Sequence, residues 1–333
     1  MQWLNRESGY GLQGQSVPAF TLGGILLKKR RDMAFSAFFL APALIVFVLL
    51  IIIPIVMTLE YSLTSWRGVG EMNFVGLENY IKLFQDRNYI TTVLNSFILL
   101  IIGLVVQLSF GMVGAFLVSR LNRGYKFYRS VYYLPSIISA AAMALLFSIF
   151  FNADMGSFNE ILSALGFGDS IAGRSWLSDS SVVIYFVAVP QIWQYMGQQF
   201  IIYLAAVQNI PEELFESASL DGASSAKMFF KITVPSLRPI TSVVVILIIT
   251  GCLKAFDYPW IMTTGGPGYS SSYMAVMMYR EVFKNGHFGY GSAVAMSILF
   301  ISLILVVIYN QANDSLGSEK NQEKRARRRR MKI

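Results

Sequence analysis

Cysteine and histidine are almost absent: Cys252 and His287 are the only ones in 333 residues. One cysteine excludes a disulfide within the chain. One histidine beside it leaves no zinc constellation and little for a nucleophile–base pair. No Gly-x-x-x-x-Gly-Lys-Ser/Thr stretch occurs, so the chain carries no phosphate-binding loop of its own. Charged residues are scarce, at 14%, while 55% are hydrophobic. A soluble domain rarely reaches that share. Several apolar runs of about twenty residues make this an all-α, polytopic integral membrane protein. The formal charge of +8 then reports basic residues that hold loops on one side of the membrane. No nucleic-acid partner is expected.

Six spans are expected, at about 35–59, 92–118, 131–151, 181–207, 240–262 and 290–309. Residues 1–31 form a polar segment ending in Lys28-Lys29-Arg30-Arg31. That cluster comes too late, and the following run is too long, for a cleaved signal. Residues 32–310 hold the spans, and 311–333 form a basic tail ending in Arg327 to Arg330. Basic residues decide the orientation. With both termini in the cytoplasm, Arg120, Arg123, Lys126, Arg129, Lys227, Lys231 and Arg238 all lie inside. Pro42 and Pro54 in the first span are tolerated where neighbours satisfy the freed carbonyls. Gly103, Gly111 and Gly114 in the second allow close helix contact.

Between the fourth and fifth spans lies a polar island, residues 208–239, on the cytoplasmic side. Pro211 and two acids, Glu212 and Glu213, open a helix. Gly222 stops it in a left-handed turn. A second helix, 223–231, is expected to end before Pro235. Its apolar residues, Leu214, Phe215, Leu220, Met228, Phe229 and Phe230 among them, exceed the needs of a loop and imply a covering partner. Within the island, Glu216-Ser217-Ala218, then Gly222, Ile232 and Pro235 stand at the spacing Glu-Ala-Ala, three residues, Gly, nine residues, Ile-x-Leu-Pro. This resembles the signature of the membrane subunits of binding-protein-dependent ABC importers. Ser217 replaces an alanine and Val234 a leucine. The longer wording, Ile210-Pro211 through Leu237-Arg238-Pro239, looks like the carbohydrate branch, close to the maltose and glycerol-phosphate permeases. So do Ser62-Leu63-Thr64-Ser65-Trp66, Phe74-Val75-Gly76-Leu77-Glu78-Asn79-Tyr80 and Thr264-Gly265-Gly266-Pro267.

The resemblance implies a type I importer permease fold in a bacterial or archaeal inner membrane. It implies a second permease, two ATPase subunits that bind ATP and magnesium, and an external solute-binding protein. The chain itself would bind no cofactor and catalyse nothing. Glu216, Ser217, Ala218, Asp221, Gly222 and Ala223 would dock the ATPase, Ala218 and Gly222 because their small size lets backbones approach. Asp221 reads as a turn residue. Glu216 either caps the turn or meets a basic group of the partner.

Polar groups inside spans are expensive in lipid and face a cavity or one another. The fourth span supplies Gln191, Gln194 and Gln198 on one helical face, flanked by Tyr195. They suit sugar hydroxyls beside an aromatic ring. Hydrogen bonding between helices, about 1 kcal/mol per bond, is the other reading. Positions that contact substrate in the maltose relative align with these four residues and, in the fifth span, with Gly251, Cys252 and Ala255. Lys254 in the fifth span would cost roughly 2.5–3.5 kcal/mol at mid-membrane. It therefore either pairs with Asp257 or attracts an acidic group of the solute. Two rivals remain at this point. A secondary transporter would need mid-span carboxylates and repeat symmetry, and an intramembrane enzyme would need a reacting pair.

Overall fold

A computed structural model describes residues 38–121, 123–168 and 173–330. The amino-terminal segment 1–31 lies outside the described residues, as do the tail side chains beyond residue 313. Among the described residues there is no named strand, only one isolated bridge between Thr64 and Phe74. The chain divides into two units at Met57 and Thr58. The first carries most of helix α1, Phe38–Ser62, which is apolar from Phe38 to Met57. It widens to a π turn over Val48–Ile52, just ahead of Pro54. There the Ile53 N–H bonds to the Val48 carbonyl, so the register shifts one residue before the ring that has no N–H to give.

The second unit contains everything that follows. Helix α2 is Glu78–Gln85 and α3 is Arg87–Ser119. Asp86 caps α3 by accepting from the Asn88 N–H at 2.8 Å. The loop before α2 folds back on the end of α1. Asn79 donates to the Ser62 and Thr64 carbonyls, both at 2.8 Å, and the Tyr80 and Ser62 hydroxyls meet at 2.7 Å.

The third expected span is not straight. It consists of α4, Tyr125–Ile137, and α5, Ala140–Phe150, bent by 89° at their junction. Ile138 is extended there, and Ser139 caps α5. Two neighbouring contacts make the bend tenable. The Ser136 hydroxyl donates to the Gln194 carbonyl at 2.6 Å, and the Gln194 amide donates to the exposed Ile138 carbonyl at 2.6 Å. A broken helix needs such substitutes at membrane depth.

Helix α6, Val183–Val207, occupies the fourth expected span. It packs along α3 and α4, through glycine. A Cβ on Gly197 would lie 2.7 Å from the Tyr132 carbonyl, and one on Gly111 3.2 Å from the Gln199 Cβ. Small residues at such crossings let backbones approach. Helices α7, Glu212–Leu220, and α8, residues 225–236, form the island. Helix α8 departs from expectation. It does not end before Pro235 but becomes a π turn over Phe229–Thr233, with the Val234 N–H on the Phe229 carbonyl. Pro235 then begins a fresh turn, where a missing N–H breaks nothing.

The fifth span is also broken. Helix α9, Arg238–Leu253, stops at Lys254, and α10, Asp257–Thr263, resumes after three residues. Helix α11 is Met274–Tyr279. The loop between α10 and α11 hangs on Asn95 of α3, whose amide faces the Tyr269, Ser270 and Ser272 carbonyls at 3.0–3.1 Å. Helix α12 runs Phe288–Arg330, past the expected end at 309. The Glu-, Lys- and Arg-rich tail is good helix-forming sequence.

Among the described residues, four helices are long and apolar enough to cross a membrane, five with the bent pair. Helix α6 stands at the remaining expected position, but its four glutamines lower its hydropathy.

Candidate functional site

Two places gather the residues singled out above. The first is the knob formed by α7 and α8. The chain turns at Gly222 with φ +71°. The Ala223 N–H reaches back to the Ala218 carbonyl at 2.9 Å, and the Gly222 N–H to that of Ser219 at 3.0 Å. This crossed pair is the Schellman arrangement, and it satisfies carbonyls that the helix end leaves orphaned. The turn shows Glu216, Ser217, Asp221 and Gly222 to solvent, with Ala218 and Ala223 half-buried beneath them. Among the described residues, the Glu216 carboxylate makes no hydrogen bond or ion pair, so it does not cap the turn. Leu220 is 89% exposed and Phe230 66%. Glu212, Glu216 and Leu220 border an open groove of about 470 Å³ whose floor is Phe215 and Arg120.

Arg120 was legible only as a marker of the cytoplasmic side, yet it ties the knob to the bundle. It follows the last residue of α3. Its guanidinium lies 3.7 Å from the centre of the buried Phe215 ring of α7 and 5.8 Å from that of Phe116. One of its nitrogens lies 3.8 Å from the Met228 sulfur of α8. The Phe229 and Phe116 rings meet at 5.2 Å. A guanidinium is flat and weakly hydrated, which suits it to this stacked position.

The second place is a cavity of about 410 Å³ bounded by α3, α6, α9 and α10. Gln191, Tyr195 and Gln198 line it from α6, and Lys254 and Asp257 from the α9–α10 break. Gly251, Cys252 and Ala255 add small surfaces. Gln194 is placed differently. It is buried, donates to Ile138 and accepts from the Tyr258 hydroxyl at 2.5 Å. Both ends of its amide are thus engaged between helices. Two further glutamines, Gln199 of α6 and Gln107 of α3, line the cavity and are buried. A glutamine in the middle of the second span was the available signal for Gln107.

The Lys254–Asp257 pair expected from a three-residue spacing is not formed. Among the described residues neither side chain has an ion-pair partner. The spacing brings two side chains together only on a continuous helix, and this helix ends at Leu253 and restarts at Asp257. Both charges are exposed to the cavity instead.

Residues 107–317 match the family described as the binding-protein-dependent transport system inner membrane component. The "Probable ABC transporter permease protein YurN" of Bacillus subtilis (strain 168) is 37% identical over 270 residues, covering 80% of this chain and 91% of that protein. The sulfoquinovosyl glycerol transport system permease protein SmoG of Agrobacterium fabrum (strain C58 / ATCC 33970) is 30% identical over 282 residues, with 84% and 90% covered. A subunit of a bacterial ABC transporter that imports the acidic polysaccharide alginate has the same fold. Its TM-score is 0.75 at 22% identity, over 88% of this chain and 99% of that one. A chain mostly helical among its described residues, carrying a Glu-Ser-Ala…Gly knob and matched along most of its length by these permeases, belongs to the family of membrane components of binding-protein-dependent ABC transport systems.

Proposed function

We propose that this chain is a permease subunit of an ATP-driven importer for a sugar or oligosaccharide. It works beside a second, homologous permease, two ATPase subunits and an external solute-binding protein. ATP and magnesium belong to the ATPase subunits. The termini and the knob face the cytoplasm, where the basic loops are retained. The observation that carries the reading is a cavity lined by amides and an aromatic ring, with helix α3 running from it to the knob. Hydroxyl edges suit the amides, and the apolar face of a sugar suits Tyr195.

Closure of the ATPases on ATP moves the knob. Arg120 passes that motion into α3, whose Leu99 and Gln107 border the cavity. Several related permeases carry carbohydrate names, such as the multiple sugar-binding transport system permease protein MsmF of Streptococcus mutans. The ion-coupled alternative has no observation behind it.

The test is reconstitution of the permease pair, its ATPases and its binding protein in proteoliposomes. Sugar-dependent ATP hydrolysis and uptake are expected. Uptake that persists without the ATPase subunits would refute the reading.

A further inference from the structure

Helix α2 has three faces where a surface helix normally has two. At about 100° per residue they are centred roughly 110–140° apart. Asn79 and Leu83 share the first, which is buried. Asn79 holds the Ser62 and Thr64 carbonyls, and Leu83 packs among Tyr89, Met274 and Met277, with Ala293 and Val294 in the same cluster. Glu78, Lys82 and Gln85 form the second face, exposed and polar, with Lys82 and Glu78 paired at 2.6 Å. The third face is apolar and exposed all the same: Leu77 is 64% accessible, Ile81 58% and Phe84 68%. Phe74, just ahead of the helix, is exposed too. A helix in water would carry polar residues there, so this face has a cover.

Position, neighbours and charge say what the cover is. Helix α2 is tied through Asn79 to Ser62, the last residue of α1, and Asp86 alone separates it from α3. Both α1 and α3 are long and apolar enough to cross a membrane. Helix α2 therefore lies at the level where those spans leave the bilayer, among Tyr61, Trp66 and Tyr80, rings that suit that interface. Below it, α3 exposes Ile90, Leu94, Ile101 and Val105 on one side. Where α3 meets other helices it uses glycine, Gly103 against α9 and Gly111 against α6. Helix contacts in membranes favour such small residues, so a stripe of large aliphatic side chains faces lipid. The Phe84 ring meets that of Tyr89, in the first turn of α3, edge-on at 6.2 Å. The apolar face of α2 thus adjoins the start of α3. The charges nearby, Glu78, Lys82, Asp86 and Arg87, cancel and select neither a charged protein nor an anionic headgroup.

We propose that α2 is an interfacial anchor, with Leu77, Ile81 and Phe84 sunk into the lipid surface and Glu78 and Lys82 held in water. Its partner is the boundary between headgroups and acyl chains, where an amphipathic helix lies in the plane of the bilayer. The attraction is apolar and indifferent to headgroup charge. Through its buried face α2 ties the Ser62 end of α1, α11 and the start of α12 to that plane. The anchor does not depend on which solute the chain carries.

The experiment uses the complete transporter in phosphatidylcholine vesicles, with and without added phosphatidylglycerol. Leu77→Cys, Glu78→Cys, Ile81→Cys, Lys82→Cys and Phe84→Cys are made singly and spin-labelled. Cys252 is buried, and the unaltered protein taken through the same labelling gives its background. Relaxation by oxygen, which concentrates in lipid, is compared with relaxation by a water-soluble nickel chelate. Labels at 77, 81 and 84 should favour oxygen several-fold over those at 78 and 82, equally in both vesicles. Equal nickel access at all five positions would overturn the anchor. So would shielding of 77, 81 and 84 from both reagents, which would mean a protein cover, such as a second permease or a solute-binding protein. Oxygen preference seen only with phosphatidylglycerol would overturn the indifference to charge. A second arm needs no variant. A lipid with a photoactivatable diazirine near its headgroup, used on the unaltered transporter, should leave adducts on the peptide spanning residues 74–85. Adducts on α3 with none on that peptide would also overturn the proposal.

Discussion

Gly222 allows the knob to be tested with backbone strain and surface bulk separated. Its φ is +71°, and a Cβ built there would find no heavy atom within 4 Å. A side chain at this position therefore meets no obstacle in its own chain. Within this chain, the penalty for Gly222→Ala is conformational, about 1–2 kcal/mol for an L-residue held left-handed. At 1.4 kcal/mol per factor of ten, that favours the closed turn roughly five- to thirty-fold less. The turn is held by two crossed hydrogen bonds, so the end of α7 would fray while the long helices, whose nearest ends Val207 and Arg238 lie about fifteen residues away along the chain, would not. Asparagine tolerates the left-handed region better, so Gly222→Asn adds bulk with less strain. Leucine adds both.

The expected order follows from what the position does. If Gly222 only shapes the turn, asparagine should behave much like glycine, and alanine and leucine should be impaired alike. If the ATPase subunit also lies against this surface, asparagine should be impaired as well and leucine most of all. The second order is expected, because Gly222 is exposed in the chain and next to the exposed Glu216–Ser217 surface. The assay is co-purification of the ATPase subunit and uptake per ATP hydrolysed, with membrane insertion checked by the yield of folded permease. Normal association and uptake in Gly222→Leu would refute the assignment of this turn to docking.

Three further outcomes are expected. Gln194→Leu leaves unpaired the Ile138 carbonyl at the bend between α4 and α5 and the Tyr258 hydroxyl of α10; at about 1–3 kcal/mol per orphaned group, the melting temperature of the permease should fall by several degrees. Arg120→Ala removes stacking on Phe215, about 0.5–2 kcal/mol, and should lower transport per ATP hydrolysed without changing the sugar KM; an unchanged coupling ratio would count against Arg120 as the link. In the loop between α5 and α6, hydrogen bonds from Ser181, first from its hydroxyl, and from Arg174 hold the Asp179 carboxyl down to about 2; its folded value lies below its unfolded one, so the Arg174–Asp179 clip is fully formed above about pH 4 and is lost as pH falls toward 2, which the fluorescence of Trp176 under Arg174 should report.

The helices and the knob were readable from residue order because each rests on a short-range rule. Apolar runs of about twenty residues mark the positions of the spans, and Gly222, directly after Asp221 at the end of the island's first helix, marks a stop whatever surrounds it. The breaks were not readable in this way. Pro135 inside α4 does not bend the chain at its own position; the bend comes at Ile138–Ser139, where Gln194 from another helix is present to take the carbonyl. Pro235, which should have ended a helix, is absorbed by a π turn. In both cases the partner or the register shift lies beyond the reach of local propensity.

The same limit governs the cavity. Gln191, Gln194 and Gln198 share a face by spacing alone, and spacing cannot say which amide finds a partner. Gln194 meets the bend in α4–α5 and is spent on structure, whereas the Gln191 carbonyl is buried with no partner among the described residues. Lys254 and Asp257 look like a pair for as long as the fifth span is drawn as one helix. Once it breaks between them, each is left at a helix end and facing the cavity. A broken helix therefore does more than turn the chain. It releases from pairing the polar groups that a continuous helix would have neutralised against each other, and leaves them available to a solute.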